Sequence, residues 1–152
     1  HADHRTPSLD YEIILKATMH LTRNMRECEK QYRQCVFNVL SHNRDDHAKN
    51  FSFLMDQSGT WCLSPSYDLT FSSGPAGEHC SMVMGEGKNP GMSHLLELAK
   101  ISSIQQIEAV NIISEVKSSV SKWPEFAEKA SVSSASSKMI DSAITKIIKE
   151  NF

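Results

Sequence analysis

Nine consecutive residues, His42-Asn43-Arg44-Asp45-Asp46-His47-Ala48-Lys49-Asn50, gather more groups able to bind metal, phosphate or a proton than any other stretch. An ionised carboxylate can orient a hydroxyl and accept its proton at neutral pH. Asp45 is the candidate for that role. Carboxylate and amide oxygens are hard ligands that suit a hard cation such as Mg2+. Asn50 offers a neutral oxygen, and Asp68, further along, a charged one. His47 and Lys49 could offset phosphate charge. A second grouping, His42, Asp45, Asp46 and His47, has the composition of a mixed transition-metal cluster, as in a metal-dependent hydrolase.

The flanking residues supply the elements that must position these groups. An apolar-periodic segment (Val36, Phe37, Val39, Leu40) precedes the loop, and the alternating Phe51-Ser52-Phe53-Leu54 follows it. A polar loop between a helix and a strand commonly carries reactive groups. Phe51 to Met55, the turn Asp56-Gln57-Ser58-Gly59-Thr60 and Trp61-Cys62-Leu63 predict a β-hairpin. Asp68 comes soon after it. Asp45 and Asn50 are separated by four residues, the spacing of the protein-kinase catalytic loop, and kinases place a hairpin and then a metal-binding aspartate next. The loop reads N-R-D-D-H-A-K-N where ordinary protein kinases read H-R-D-L-K-x-x-N, so His47 replaces their lysine. Register against Asn50 selects Asp45 as the working carboxylate. Asp46 is then expected to be a surface or capping residue, and Asp46→Asn to be near neutral. His42 is expected to be a loop hydrogen-bonder and Trp61 a hairpin packing residue.

The stretch Asn43 to Ser52, followed by Leu63-Ser64-Pro65-Ser66-Tyr67-Asp68-Leu69, closely resembles the HipA family of serine/threonine kinases, toxins of bacterial toxin–antitoxin pairs. The resemblance also takes in Pro7-Ser8-Leu9-Asp10-Tyr11-Glu12, Gly77-Glu78-His79 and Gly85-Glu86-Gly87-Lys88-Asn89-Pro90, roughly the first two thirds of the chain. It implies that His47, Ala48, Lys49, Asn50, Tyr67 and Asp68 contact ATP, with Mg2+ on Asn50 and Asp68. It also implies a protein substrate (in the family an aminoacyl-tRNA synthetase), a DNA-binding HipB-like antitoxin partner and a cytoplasmic location. A non-enzymatic interaction module of a repressor complex is the third reading.

Length and composition bound these readings. The 152 residues suffice for one domain with a core, and the formal charge of −2 argues against a phosphate-gripping nucleic-acid surface. No apolar run reaches the length of a membrane span, and no signal peptide is visible. Cys28, Cys35, Cys62 and Cys80 form no CxxC and are expected as reduced thiols. His1, Asp3 and His4 could chelate a metal, but a docked or disordered terminus is the plainer expectation.

The periodicity predicts a mainly α chain with one small β-hairpin, the helical C-terminal lobe of a protein-kinase-like fold over residues 1–152. A first helix is capped by Ser8 or Asp10 and buries Ile13, Ile14, Ala17 and Leu21. A second starts with an Asn24/Glu27 capping box, buries Cys28, Tyr32, Cys35, Val36 and Val39, and leaves Arg23, Arg26, Lys30 and Arg33 solvated. Thr70 to Pro90 is expected to be a long loop. His94 to Ala99 is a short helix. A Ser103/Gln106 capping box opens a helix to about Lys122, with Ile104, Ile107, Val110, Asn111 and Ser114 along one face and Ile112, Ile113 and Val116 widening it. Pro124 starts a short helix, and Met139 to Ile148 form a last amphipathic one. Residues 1–41 contain no glycine and neither a nucleotide-covering loop nor a phosphate-pairing lysine on a strand. With His1 in first place, this predicts a piece of a longer kinase whose N-terminal lobe is absent from this chain, binding ATP weakly by itself.

Overall fold

A computed structural model of the chain describes residues 9–152. The readings made for His1, Asp3, His4 and Ser8 lie outside them. Asp10 caps α1 (Tyr11–Thr22), its carboxylate accepting from the Glu12 amide at 2.8 Å. Arg23, in the left-handed conformation at φ 50°, ends that helix. Asn24 then caps α2 (Met25–Leu40) through the Arg26 amide at 3.0 Å. The expected reciprocal cap by Glu27 does not form. Glu27 turns inward instead, accepting from the Leu63 amide at 2.9 Å and pairing with Lys30 at 2.6 Å. Burial pushes its carboxyl up, but the Lys30 and Leu63 hydrogen bonds outweigh burial and hold it below the ordinary value.

That bond ties the start of α2 to the hairpin. Strands β2 (Phe53–Met55) and β3 (Trp61–Leu63) pair antiparallel, with Phe53 opposite Leu63 and Met55 opposite Trp61. The turn is closed by Asp56, whose Oδ1 accepts from the amides of Ser58 at 2.8 Å and Thr60 at 2.9 Å. Gly59 supplies its positive φ, 83°. A second pairing has no counterpart in the sequence pattern: β1 (Leu9–Asp10) lies parallel to β4 (Ser81–Met82). Two residues are too few to show a period. The stretch expected as a plain loop, 70–90, therefore contains β4 and a 3-10 turn over Pro75–Gly77.

The rest is helical: α3 (Met92–Ile101), α4 (Gln106–Val120), α5 (Trp123–Lys129) and α6 (Ser134–Asn151). Six α-helices and four short strands among the described residues match the expected fold class. Helix α2 is central, packed on α1 and α4. Cys28, Tyr32, Cys35, Val36 and Val39 are buried as expected, against Leu15, Leu98, Ile112 and Ile113. Tyr32 donates from its hydroxyl to the Leu95 carbonyl at 3.1 Å, which joins α2 to α3. Burial pushes the Cys28 and Cys35 thiols up, so they stay protonated. Cys62 alone of the four cysteines is exposed.

Two helical faces differ in part from expectation. In α1 the buried residues are Tyr11, Ile14, Leu15 and Thr18, while Ile13 and Leu21 are exposed. In α4 the expected Ile112, Ile113 and Val116 are buried together with Ala109 and Val120, whereas Ile107, 70 % exposed, and Val110 face outward. Both helices carry apolar residues on more than one side, so periodicity alone does not choose the core face. The neighbouring α2 chooses it. Ser103 is not a cap. It sits at φ 60° after α3, and Gln105 precedes α4. Ser133 caps α6 through the Ser136 amide, so the serine-rich stretch opens that helix, and Met139 is exposed. No helix among the described residues is long and apolar enough to cross a membrane.

Candidate active site

Helix α2 ends where Asn38 takes hold of the loop. Its carbonyl accepts from the Asn43 amide at 2.9 Å, and its side-chain oxygen from Asn43 Nδ2 at 3.0 Å. His42, at φ 58°, turns the chain between them. Residues 42–44 then run beside 70–72. The Ser72 amide donates to the His42 carbonyl at 3.0 Å, and Asn43 bridges Ser72 in parallel sense. The His42 ring stacks on Phe71 with centroids 5.0 Å apart, and its Nδ1 lies 3.0 Å from the Ser72 carbonyl. His42 is thus the loop hydrogen-bonder expected. Burial lowers its pKa.

This pairing lays the segment carrying Asp68 against the loop carrying Asp45. Asn50 closes a 3-10 turn, Ala48–Asn50. Its Nδ2 donates to the Asp45 carbonyl at 2.9 Å and to Asp68 Oδ2 at 3.2 Å. The amide nitrogen is committed, so the carbonyl oxygen is the atom left to act as a ligand. Asp45, His47 and Asp68 each bring a ligand atom within 4.8 Å of the others. His47 Nε2 stands 3.8 Å from Asp45 Oδ1. Asp68 is exposed and takes φ 53°, an uncommon conformation for a residue with a Cβ. Two carboxylates this close repel, and a cation between them relieves the repulsion. The donor set of two carboxylates, an amide oxygen and an imidazole suits a divalent ion.

The other residues singled out lie around this centre. Tyr67 donates its hydroxyl to the Lys49 carbonyl at 2.5 Å and sits 2.6 Å from Ser52 Oγ, fixing the 3-10 turn from outside. Lys49 is exposed and Ala48 half-buried. Trp61 lies on the hairpin opposite Met55, and both are exposed.

Asp46 is not the surface residue expected. It is fully buried. Its Oδ2 accepts from the Tyr11 hydroxyl at 3.0 Å and lies 2.9 Å from His79 Nδ1, while Oδ1 accepts from the Ser81 amide at 3.1 Å. Register against Asn50 identifies which aspartate is displaced from the site, but not where it goes. Its partners lie 33 to 35 residues away, and no local pattern announces them. Arg44 was equally silent in the sequence. Its guanidinium donates to the Gly77 and Lys88 carbonyls, the second at 2.9 Å, and burial lowers its pKa. Gly74, at φ 68°, passes so close that a Cβ would lie 2.0 Å from the Glu78 carbonyl oxygen and 2.7 Å from Arg44 Cβ. Cys80 places its sulfur 4.0 Å from Asp45 Oδ1, and burial raises its pKa to about 11.

Comparison with curated proteins gives no match. Among solved structures the fold is similar to a chain in the complex of toxin–antitoxin HipA, HipB and operator DNA from Shewanella oneidensis MR-1. The TM-score is 0.69 at 16 % identity, covering 93 % of this chain and 34 % of that one. The chain thus spans about a third of the matched chain's length. At that identity the likeness speaks for the fold, which fits a helical lobe. The sequence itself matches the HipA-like C-terminal domain over residues 1–123, reaching through α4 and well past the last motif, which ends at Pro90. With so much of its length covered, and with the Asp45–Asn50 loop and Asp68 brought together, the chain belongs to the family of HipA-like C-terminal domains.

Proposed function

We propose that the chain is the catalytic lobe of a HipA-like serine/threonine protein kinase, the toxin of a bacterial toxin–antitoxin pair, working on ATP. The convergence of Asp45, Asn50 and Asp68 from two separate loops carries this reading. Asp45 would orient the substrate hydroxyl and take its proton as the oxygen bonds to the γ-phosphorus and the bond to ADP breaks. Asn50 and Asp68 would hold Mg2+, which when bound neutralises charge on the phosphates. His47 and Lys49 stand where positive charge would oppose the phosphates, with Ala48 and Tyr67 beside them. The N-terminal lobe that covers the nucleotide would come from the same natural protein. A HipB-like antitoxin and an aminoacyl-tRNA synthetase substrate, both in the cytoplasm, follow from the family.

A metal-dependent hydrolase is the second reading, favoured by His47 lying with Asp45 and Asp68. Two of its four original ligands are otherwise engaged, however: His42 on Phe71 and Ser72, and Asp46 in the core. The test is γ-phosphate transfer to a protein Ser or Thr by the full-length natural protein, with and without Mg2+. Transfer that needs Mg2+ and is abolished by Asp68→Asn is expected. Tight Zn2+ binding without nucleotide, and no transfer, would favour the hydrolase.

A further inference from the structure

Asp45 and Asp46 adjoin in sequence but occupy opposite environments. Asp45 and His47 bring their ligand atoms together on one side of the loop, and Asp46 points into the core. There it is held by two parts of the fold. Tyr11, at the start of α1, donates to it, and Asn38 of α2 donates in turn to the Tyr11 hydroxyl at 2.8 Å. From the 79–81 segment come His79 Nδ1 and the Ser81 amide, and Ser81 Oγ donates to the Asp46 carbonyl at 2.5 Å.

Stability alone does not call for this arrangement. A buried carboxylate and its partners are often matched or exceeded in stability by well-packed apolar residues. What the carboxylate does that an apolar residue could not is fix direction. The Asp45 side chain is about half exposed, and its one hydrogen-bonding contact to a described side chain other than His47 is the long one to Cys80. Its place is therefore set through the backbone on either side. Asn43 is fastened to Asn38 on one side and Asp46 to Tyr11, His79 and Ser81 on the other.

We propose that Asp46 is a positioning residue whose buried hydrogen bonds set where the Asp45 carboxylate meets the substrate hydroxyl. The proposal rests on the kinase reading above. A displacement of about 1 Å at a reacting group can cost ~10²-fold in rate, so Asp46→Asn is expected to lower kcat by ~10- to 100-fold. The KM for MgATP should change by less than about threefold, because Asn50 and Asp68 are intact.

A double-mutant cycle in the full-length natural protein separates positioning from mere loss of folded enzyme. If Asp46 acts through Asp45, Asp46→Asn has little further effect on kcat once Asp45 is already Asn, less than about twofold. The same fold-loss in both backgrounds, or no loss in the first, overturns the positioning role. Should Asp46→Asn not fold, Tyr11→Phe removes one of the same bonds and keeps the ring. Its expected loss is about three- to tenfold, confined in the same way to the background that retains Asp45, and equal losses in both overturn the role equally. Absence of phosphotransfer by the unsubstituted protein, or full activity of Asp45→Asn, overturns the kinase reading instead.

Discussion

The loop 42–50 and the hairpin 53–63 are neighbours in sequence and near-opposites in character. The loop is almost entirely polar, yet Asn43, Asp46 and Asn50 are buried and hydrogen-bonded. The hairpin is rich in apolar residues, yet Leu54, Met55 and Trp61 are exposed. Burial here follows the supply of hydrogen-bond partners from α1, α2 and the 79–81 segment, not hydropathy. A buried polar group is tolerated where hydrogen bonds offset its desolvation, as they do for Asp46 and Asn50, whereas the Oδ1 of Asn43 has no partner among the described residues. An exposed apolar strand marks a surface whose energetics lie elsewhere.

Substitutions in the two regions can break or sharpen this contrast. The largest effect belongs to Asp45→Asn, which should leave ATP affinity nearly intact and lower phosphotransfer by ~10²–10⁴-fold. Equal ATP affinity and equal turnover in variant and parent would take the loop out of the chemistry. Asp46→Ala comes next. It strands His79, Tyr11 and the Ser81 amide and should destabilise the chain by about 3–5 kcal/mol, read from the urea midpoint. A loss under about 1 kcal/mol would show that the loop is no better anchored than the hairpin.

Glu27→Gln tests the joint between α2 and the hairpin. The folded protein holds the Glu27 carboxyl below its ordinary value of 4.5. Its contribution is therefore present above that pH and lost as pH falls through the lowered value. Stability of the parent should fall more steeply than that of the variant as pH drops below 4.5. Parallel acid limbs would remove Glu27 from the account. The smallest effect is expected at Leu54→Thr on the hairpin, within about 0.5 kcal/mol. A larger loss would mean that this strand is packed more firmly than its exposure suggests.

How much of this could be read from the residues depends on distance along the chain. The hairpin, both helix caps at Asp10 and Asn24, and the buried side of α2 are local patterns and were legible. The spacing of Asp45 and Asn50 was legible too, because both lie in one loop. The inward turn of Glu27 is not legible, because its partner, the Leu63 amide, lies 36 residues on. The same distance hides the partners of Asp46, whose place in a polar loop beside Asp45 suggests a surface role. The faces of α1 and α4 were ambiguous since each helix offers two apolar sides and only packing decides between them.

The fastening of Asp46 has a consequence for the order in which the molecule assembles. Its bonds to Tyr11, His79 and Ser81 each close a span of more than thirty residues. Contacts of such separation form after local helices, since the entropy of closing the chain must be overcome first. The side of the loop that carries Asp45 and His47 therefore takes its final shape late, once α1, α2 and the 79–81 segment have met. In the native protein the reverse holds. The Ser81 amide, bonded to Asp46, should exchange its hydrogen only when that whole assembly opens, whereas the amides of the hairpin turn should exchange through local fraying.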